Sequence, residues 1–272
     1  MQGILARIVE KRRLGVAAMK EELSLERLRE KARRIPTRGG FLAALRQDRP
    51  GGFRLPVIAE LKQASPSAGR ISTCFAPRSL AADLAAGGAS ALSVLTEPDF
   101  FQGDGDFLAQ ARFGAPGLPL LRKDFIFDPW QVWESRWLQA DAILLIASLL
   151  PGGCLERLLE CAAEADLDVL VEAATGEEIS QAVAAGARAI GVNARNLEDF
   201  SVDLARCSSL RRIIPSSVLA VAESGVGSRQ DLIRMEKAGF AAVLVGTALM
   251  RQDRPGALLA RWLQPGPIAE NS

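Results

Sequence analysis

From Val57 onward the chain repeats one unit: a short aliphatic run, a loop with polar or glycine residues, then an alanine- and leucine-rich helical segment. Strands are expected to begin near Val57, Ala91, Pro119, Ala142, Asp168, Arg188, Val218 and Ala242. Each gap leaves room for a helix that returns the chain to start a parallel neighbour. The runs AILLI (142–146) and AVLVG (242–246) are continuously apolar, as strands covered on both faces must be. The helical segments PRSLAADLAAGG, GEEISQAVAAGA and SRQDLIRMEKAGF close at or just before glycines, the usual stop signal. Eight such units in succession argue for an α/β fold of the closed (β/α)8 barrel type, not an open doubly wound sheet, and no GxGxxG follows the first strand.

Residues 1–50 precede the barrel and read as two or three helices, with Ile4, Leu5, Ile8, Leu25 and Leu28 at helical spacing. They are expected to form an N-terminal extension packed on a catalytic barrel of residues 51–272, the whole being a single domain. This segment holds 13 Lys or Arg against 6 Asp or Glu. Its basic residues alternate with Glu10, Glu21, Glu22, Glu26 and Glu30, which reads as solvated helix faces and not as a nucleic-acid-binding arm. With 272 residues and 49% of them hydrophobic, the chain can bury a large core. No apolar run reaches the ~18 residues of a membrane span. The charged N-terminus lacks the pattern of a secretory leader, so a cytoplasmic protein without membrane contact is expected.

The chain has no histidine and no tyrosine. That removes Ser-His-Asp and Cys-His catalysis and histidine metal sites, and leaves proton transfer to lysine, glutamate and aspartate. Cys74, Cys154, Cys161 and Cys207 show no C-x-x-C spacing and read as free thiols serving as small hydrophobes. In a barrel, reacting groups sit at the C-terminal ends of strands. The first strand ends in Glu60 and Lys62, the third in Lys123, Asp124 and Phe125, and the fifth in Glu172. The sixth supplies Asn193 and Arg195, the seventh Glu223, Ser224 and Gly225, and the eighth Gly246 and Thr247.

Glu60 and Lys62, two residues apart, share a strand face, which fits a reaction site or a rim ion pair equally well. Any one charged strand end has the same two readings. Five polar groups after apolar strands that aim at one mouth, Glu60, Lys62, Lys123, Glu172 and Asn193, favour chemistry, because burial beside other charges can tune their proton affinities. The glycine and hydroxyl residues after strands seven and eight suit an anion, the usual barrel phosphate site, though glycines there can also simply turn the chain. Phe101, Phe125 and Leu144 lie near the mouth and could cover an aromatic ring; core or rim packing is the plainer reading.

The motifs AELKQASPSAG, SVLTEPDFFQG, PLLRKDFIFDPWQV, LVEAATGEE, IGVNARNL, AESGV and AVLVGTALM, spread over nearly the whole chain, together resemble those of the indole-3-glycerol phosphate synthase family of tryptophan biosynthesis. The resemblance implies a carboxy-lyase. It would close the indole ring of 1-(2-carboxyphenylamino)-1-deoxyribulose 5-phosphate, with loss of carbon dioxide and water and without metal or organic cofactor. It also implies roles. Lys123 would protonate the ketone oxygen, and Glu172 would act as acid or base in the dehydration. Glu60 would orient a lysine and stabilise positive charge, and Lys62 would bind carboxylate or phosphate or supply a later proton. Asn193 would hold a hydroxyl or carboxylate. Ser65, Ser224, Gly225, Gly246 and Thr247 would surround the phosphate, with Arg195 counted among the substrate-binding residues. Pro66, Phe101, Phe125 and Leu144 would enclose the ring.

The sequence departs from the family at Ala68, where many members have lysine, at Ala194, where many have asparagine, and at Thr247, where serine or glutamate is common. These departures bear on affinity more than on the reaction. Two alternatives stand beside this reading: a barrel that binds a phosphorylated ligand without catalysis, and an indole-forming paralogue of a specialised pathway. A phosphoribosylanthranilate isomerase would need a cysteine at the first strand's end, whereas Cys74 lies beyond it. The only partner called for is a phosphorylated small molecule. The oligomeric state is not legible, and a monomer is compatible with everything above.

Overall fold

The computed structural model describes residues 3–47, 53, 55–71, 75–195 and 201–264. Eight parallel strands close into a barrel: β1 (Val57–Leu61), β2 (Ala91–Leu95), β3 (Leu120–Lys123), β4 (Ala142–Ile146), β5 (Asp168–Ala173), β6 (Ala189–Asn193), β7 (Leu219–Glu223) and β8 (Ala242–Val245). Neighbours in sequence are neighbours in space. The ring is sealed where β1 pairs with both β2 and β8, as Ile58 opposite Ala91 and Val57 opposite Val243. Each strand begins within about two residues of its expected position. β4 and β8 are buried along their whole length, and this accounts for their unbroken aliphatic composition; β1, β2 and β6 are buried throughout as well but carry Glu60, Ser93 and Asn193.

The outer ring is built from helices whose ends are marked by local chemistry. In the helix Arg229–Lys237 the Ser228 side chain accepts the Asp231 N–H, and Gly239, past the end, takes the left-handed turn at φ 85°. In the helix Pro129–Trp137 the Asp128 carboxylate accepts the Trp130 N–H, while the Gln131 side chain reaches back to the Asp128 N–H at 3.2 Å. Proline at the first helical position costs no backbone bond there.

Three helices precede the barrel: α1 (Ile4–Glu22), α2 (Leu25–Arg33) and the single turn α3 (Phe41–Ala44). The Trp130 indole N–H donates to the Leu23 carbonyl at 2.8 Å and ties the α1–α2 turn to the helix Pro129–Trp137. Most charges of α1 are solvated, as expected. Arg12 is the correction: it is buried and paired with Asp124, because helix position alone cannot tell which face meets the barrel. Among the described residues no helix is long and apolar enough to cross a membrane.

Candidate active site

A cavity of about 470 Å³ opens at the C-terminal ends of the strands, within the size range of small-molecule sites. Its floor carries four ionisable side chains, each from an odd-numbered strand: Glu60 (β1), Lys123 (β3), Glu172 (β5) and Glu223 (β7). In such barrels each interior layer is filled from alternate strands, so the four belong to one layer. Gly191, on β6 between β5 and β7, makes room for it. A Cβ there would overlap the Glu223 carboxyl, and one on Gly246 would overlap that of Glu60. Gly246 therefore has a packing reason to be glycine besides any phosphate contact.

The Lys123 ammonium lies 2.8 Å from Glu172 Oε2 and 3.1 Å from Glu223 Oε2. Burial works against its charge, but the facing carboxylates of Glu172, Glu223 and Glu60 outweigh burial and hold it above the ordinary lysine range. Burial also pushes Glu223 up, to about 8: Lys123 draws it down, but the like charge of Glu172 opposes that. Its Oε1 is buried without a hydrogen-bond partner among the described residues. Glu172 goes the other way. Burial raises it, but Lys123 and the Asn193 amide, donating to Oε1 at 2.9 Å, bring it below the usual carboxylate value. Two carboxyls on one ammonium are thus split into a proton-holding member and an ionised one.

Glu60 and Lys62 form a separate ion pair at 2.5 Å, with Glu60 only 3% exposed, so the pair lies inside the cavity and not on an open rim. Asn193 Oδ1 accepts the Arg195 N–H at 2.9 Å and fixes the start of the next loop; Asn196 and Leu197, further along the IGVNARNL motif, lie outside the described residues. Phe101 and Phe125 face each other across 6.0 Å and share a wall with Leu144. Ser65, Pro66, Arg195, Ser224, Gly225 and Thr247 line the same cavity. Ser224 and Gly225 both have positive φ, 66° and 81°, so this turn is held in a conformation that side chains rarely adopt.

Sequence reasoning placed Glu223 at a strand end but gave it no role. Its signal was there, since it falls in the same odd-strand series as Glu60, Lys123 and Glu172. Arg251 and the α1 residues Ile4, Leu5 and Ile8 also line the cavity and carried no comparable mark. Next to Lys123 in the cavity lining, Asp124 accepts from Arg12 at 3.0 and 2.8 Å, Arg122 at 2.9 Å, Thr96 at 2.7 Å and the Phe125 N–H at 2.8 Å. Burial opposes its charge, but the two guanidiniums pull it down to about 2. Among the described residues no group of three or more His, Cys, Asp or Glu side chains could hold a metal ion. Cys74 lies outside the described residues.

The family model of indole-3-glycerol phosphate synthase matches residues 5–261. The chain belongs to that family. Indole-3-glycerol phosphate synthase of Chlorobium phaeovibrioides is 47% identical over 245 residues, covering 90% of this chain and 93% of that one. The protein of the same name from Rhizorhabdus wittichii is 45% identical over 264 residues, covering 97% and 99%. The match to the synthase family thus takes in α1 as well as the barrel. Thiamine phosphate pyrophosphorylase from Pyrococcus furiosus shares the fold alone, with a TM-score of 0.57 at 16% identity over 76% of this chain and 93% of that one.

Proposed function

We propose that this synthase-family barrel converts 1-(2-carboxyphenylamino)-1-deoxyribulose 5-phosphate to indole-3-glycerol phosphate, as a lyase of tryptophan biosynthesis, with the odd-strand layer as its acid-base machinery. The observation that carries this reading is the Lys123–Glu172–Glu223 cluster at the floor of a cavity with an aromatic wall. The ring would lie against Phe101, Phe125, Leu144 and Pro66. The phosphate would lie toward Ser224, Gly225, Gly246 and Thr247, with Ser65 and Arg195 closing over the substrate.

In the first step the ring carbon bearing the carboxylate attacks the ketone carbon. Negative charge collects on the ketone oxygen and positive charge on the ring nitrogen. Lys123, held protonated, faces the oxygen, and the surrounding carboxylates favour the cation. An ammonium with a raised proton affinity is a weak acid toward a ketone. An alkoxide is more basic still, so the transfer runs downhill as the new bond forms. Loss of carbon dioxide then restores the ring.

Once Lys123 has given up its proton, Glu172 loses the charge that kept its proton affinity low and becomes the stronger base. It can then take the proton whose removal accompanies loss of the hydroxyl as water. Glu60 restrains Lys62, which either supplies the proton with which the hydroxyl departs as water, or clamps the substrate's anionic groups while Glu172 relays the proton it has taken to the departing hydroxyl. Every residue used comes from one chain, so a monomer suffices, and the setting is taken to be cytoplasmic. The test is turnover: purified protein with this substrate and no added metal should develop indole fluorescence. A folded protein that consumes none of it would end the proposal.

A further inference from the structure

Glu97 follows β2 and is 0% exposed, yet it makes no ion pair among the described residues. Main-chain donors favour its charged form, although burial outweighs them and holds the carboxyl above its ordinary range. The carboxylate accepts the N–H groups of Asp99 at 3.0 Å, Phe100 at 2.8 Å and Phe101 at 2.9 Å, and the Glu97 carbonyl accepts the Gly103 N–H at 2.8 Å. Residues 97–103 are therefore wound around one carboxylate. The winding is a demanding one. Gln102 sits at φ 53°, a left-handed conformation costly for a residue with a side chain. A Cβ on Gly103 would lie 2.6 Å from the Leu95 carbonyl oxygen, so the loop crosses back hard against β2.

The loop delivers the Phe101 ring to the cavity, where it meets Phe125 at 6.0 Å. The N–H of Phe125 is held at 2.8 Å by another buried carboxylate, Asp124. Each half of the aromatic wall thus has its backbone fixed by an acid that takes no part in the proton transfers above. We propose that Glu97 is a positioning residue: through Phe101 it sets the ring-binding wall and so governs affinity for the carboxyphenyl end of the substrate. The phosphate end and the proton transfers at Lys123 do not depend on it. Strong N–H donors on an ionised acceptor are what hold such a loop in one shape. An amide in place of the carboxylate turns its NH2 toward at least one of those donors. A buried donor is then left unpaired, and Phe101 is released.

This inference rests on the proposed function, and the test separates the two. Glu97→Gln, Phe101→Ala and the double variant are assayed for turnover, and their binding of anthranilate and of inorganic phosphate is measured separately by calorimetry. Glu97→Gln should raise KM and weaken anthranilate binding about tenfold, the size expected for one buried hydrogen bond to a charged group. Phosphate binding and kcat should stay close to those of the parent. In the Phe101→Ala background the Glu97→Gln change should add little, because its effect passes through that ring. If the two changes multiply, or if anthranilate and phosphate weaken together, Glu97 is merely structural and the inference falls. If the parent neither turns over substrate nor binds anthranilate, the proposed function falls first. Should Glu97→Gln give no soluble protein, Glu97→Asp, which keeps the charge but withdraws it by one methylene, carries the same cycle.

Discussion

Replacing Lys123 with methionine keeps much of the side-chain volume and removes the cation that touches the buried carboxyls of Glu172 and Glu223. In the parent its ammonium lies 2.8 Å from Glu172 and 3.1 Å from Glu223. Removing one partner of a buried ion pair costs about 3–5 kcal/mol, mostly for the charge left behind. The lower end applies here. Glu223, pushed up to about 8, already keeps its proton through neutrality, so Glu172 alone is stranded. About 3 kcal/mol at pH 7 corresponds to a fall in Tm of roughly 6–12 °C for a chain of this size.

The pH dependence has a definite sign. In the parent, Glu172 is shifted below its ordinary value, so its contribution is present above the unfolded pKa and lost as pH falls through the folded one. Without the cation, burial raises Glu172 instead. Protonation then relieves the variant, and its deficit against the parent should shrink between pH 7 and pH 5. Turnover should drop by about 10²–10⁴, the worth of a positioned general acid. Scanning calorimetry at the two pH values and indole fluorescence at neutral pH make the comparison. A variant with parental Tm at both pH values and kcat within about tenfold of the parent would mean that Lys123 neither holds the buried carboxyls nor acts as the acid.

Other tests address the neighbours of that lysine. Glu223 has a raised folded pKa, so its contribution to stability is complete below about 4.5 and is lost as pH rises to about 8; Glu223→Gln should flatten the fall in Tm over that window, and an unchanged slope would place the titration elsewhere. Gly191→Ala drives a methyl into the Glu223 carboxyl, the movable end of a flexible side chain. Overpacking of this kind should cost only about 1–3 kcal/mol while kcat falls at least tenfold, whereas a stability loss with full kcat would show that Glu223 is only packing. Thr247→Val should raise KM and weaken competition by inorganic phosphate by about 10-fold or more, as for a lost hydrogen bond to a charged group. Substitutions at Gly246 are a poorer probe of the phosphate, since any Cβ there strikes Glu60 first.

The barrel was legible because its signals are local. AILLI and AVLVG are apolar through and through, and helices such as Arg229–Lys237 carry their own caps, so every strand start fell within about two residues of expectation. The Glu60–Lys62 question was open in sequence because parity fixes a shared face but not its burial; closure of β1 against β2 and β8 decided it. Glu223 was harder. Its surroundings, AESG, resemble a phosphate turn, and what gives the carboxyl its place is the missing side chain of Gly191 on the neighbouring strand. Arg12 and Glu97 were illegible for the same reason. A charged residue on a helix or in a loop reads as solvated until the element opposite is known: Asp124 for Arg12, and for Glu97 the returning backbone of its own loop.

Ring closure at the odd-strand layer should be coupled to decarboxylation. The most direct measurement follows substrate labelled with ¹³C at its carboxyl group, with released label and indole absorbance read in the same reaction. Equal appearance of the two in the parent protein, and loss of both in Lys123→Met, is the expected result. Label released without indole, indole formed with the label retained, or Lys123→Met matching the parent would contradict it.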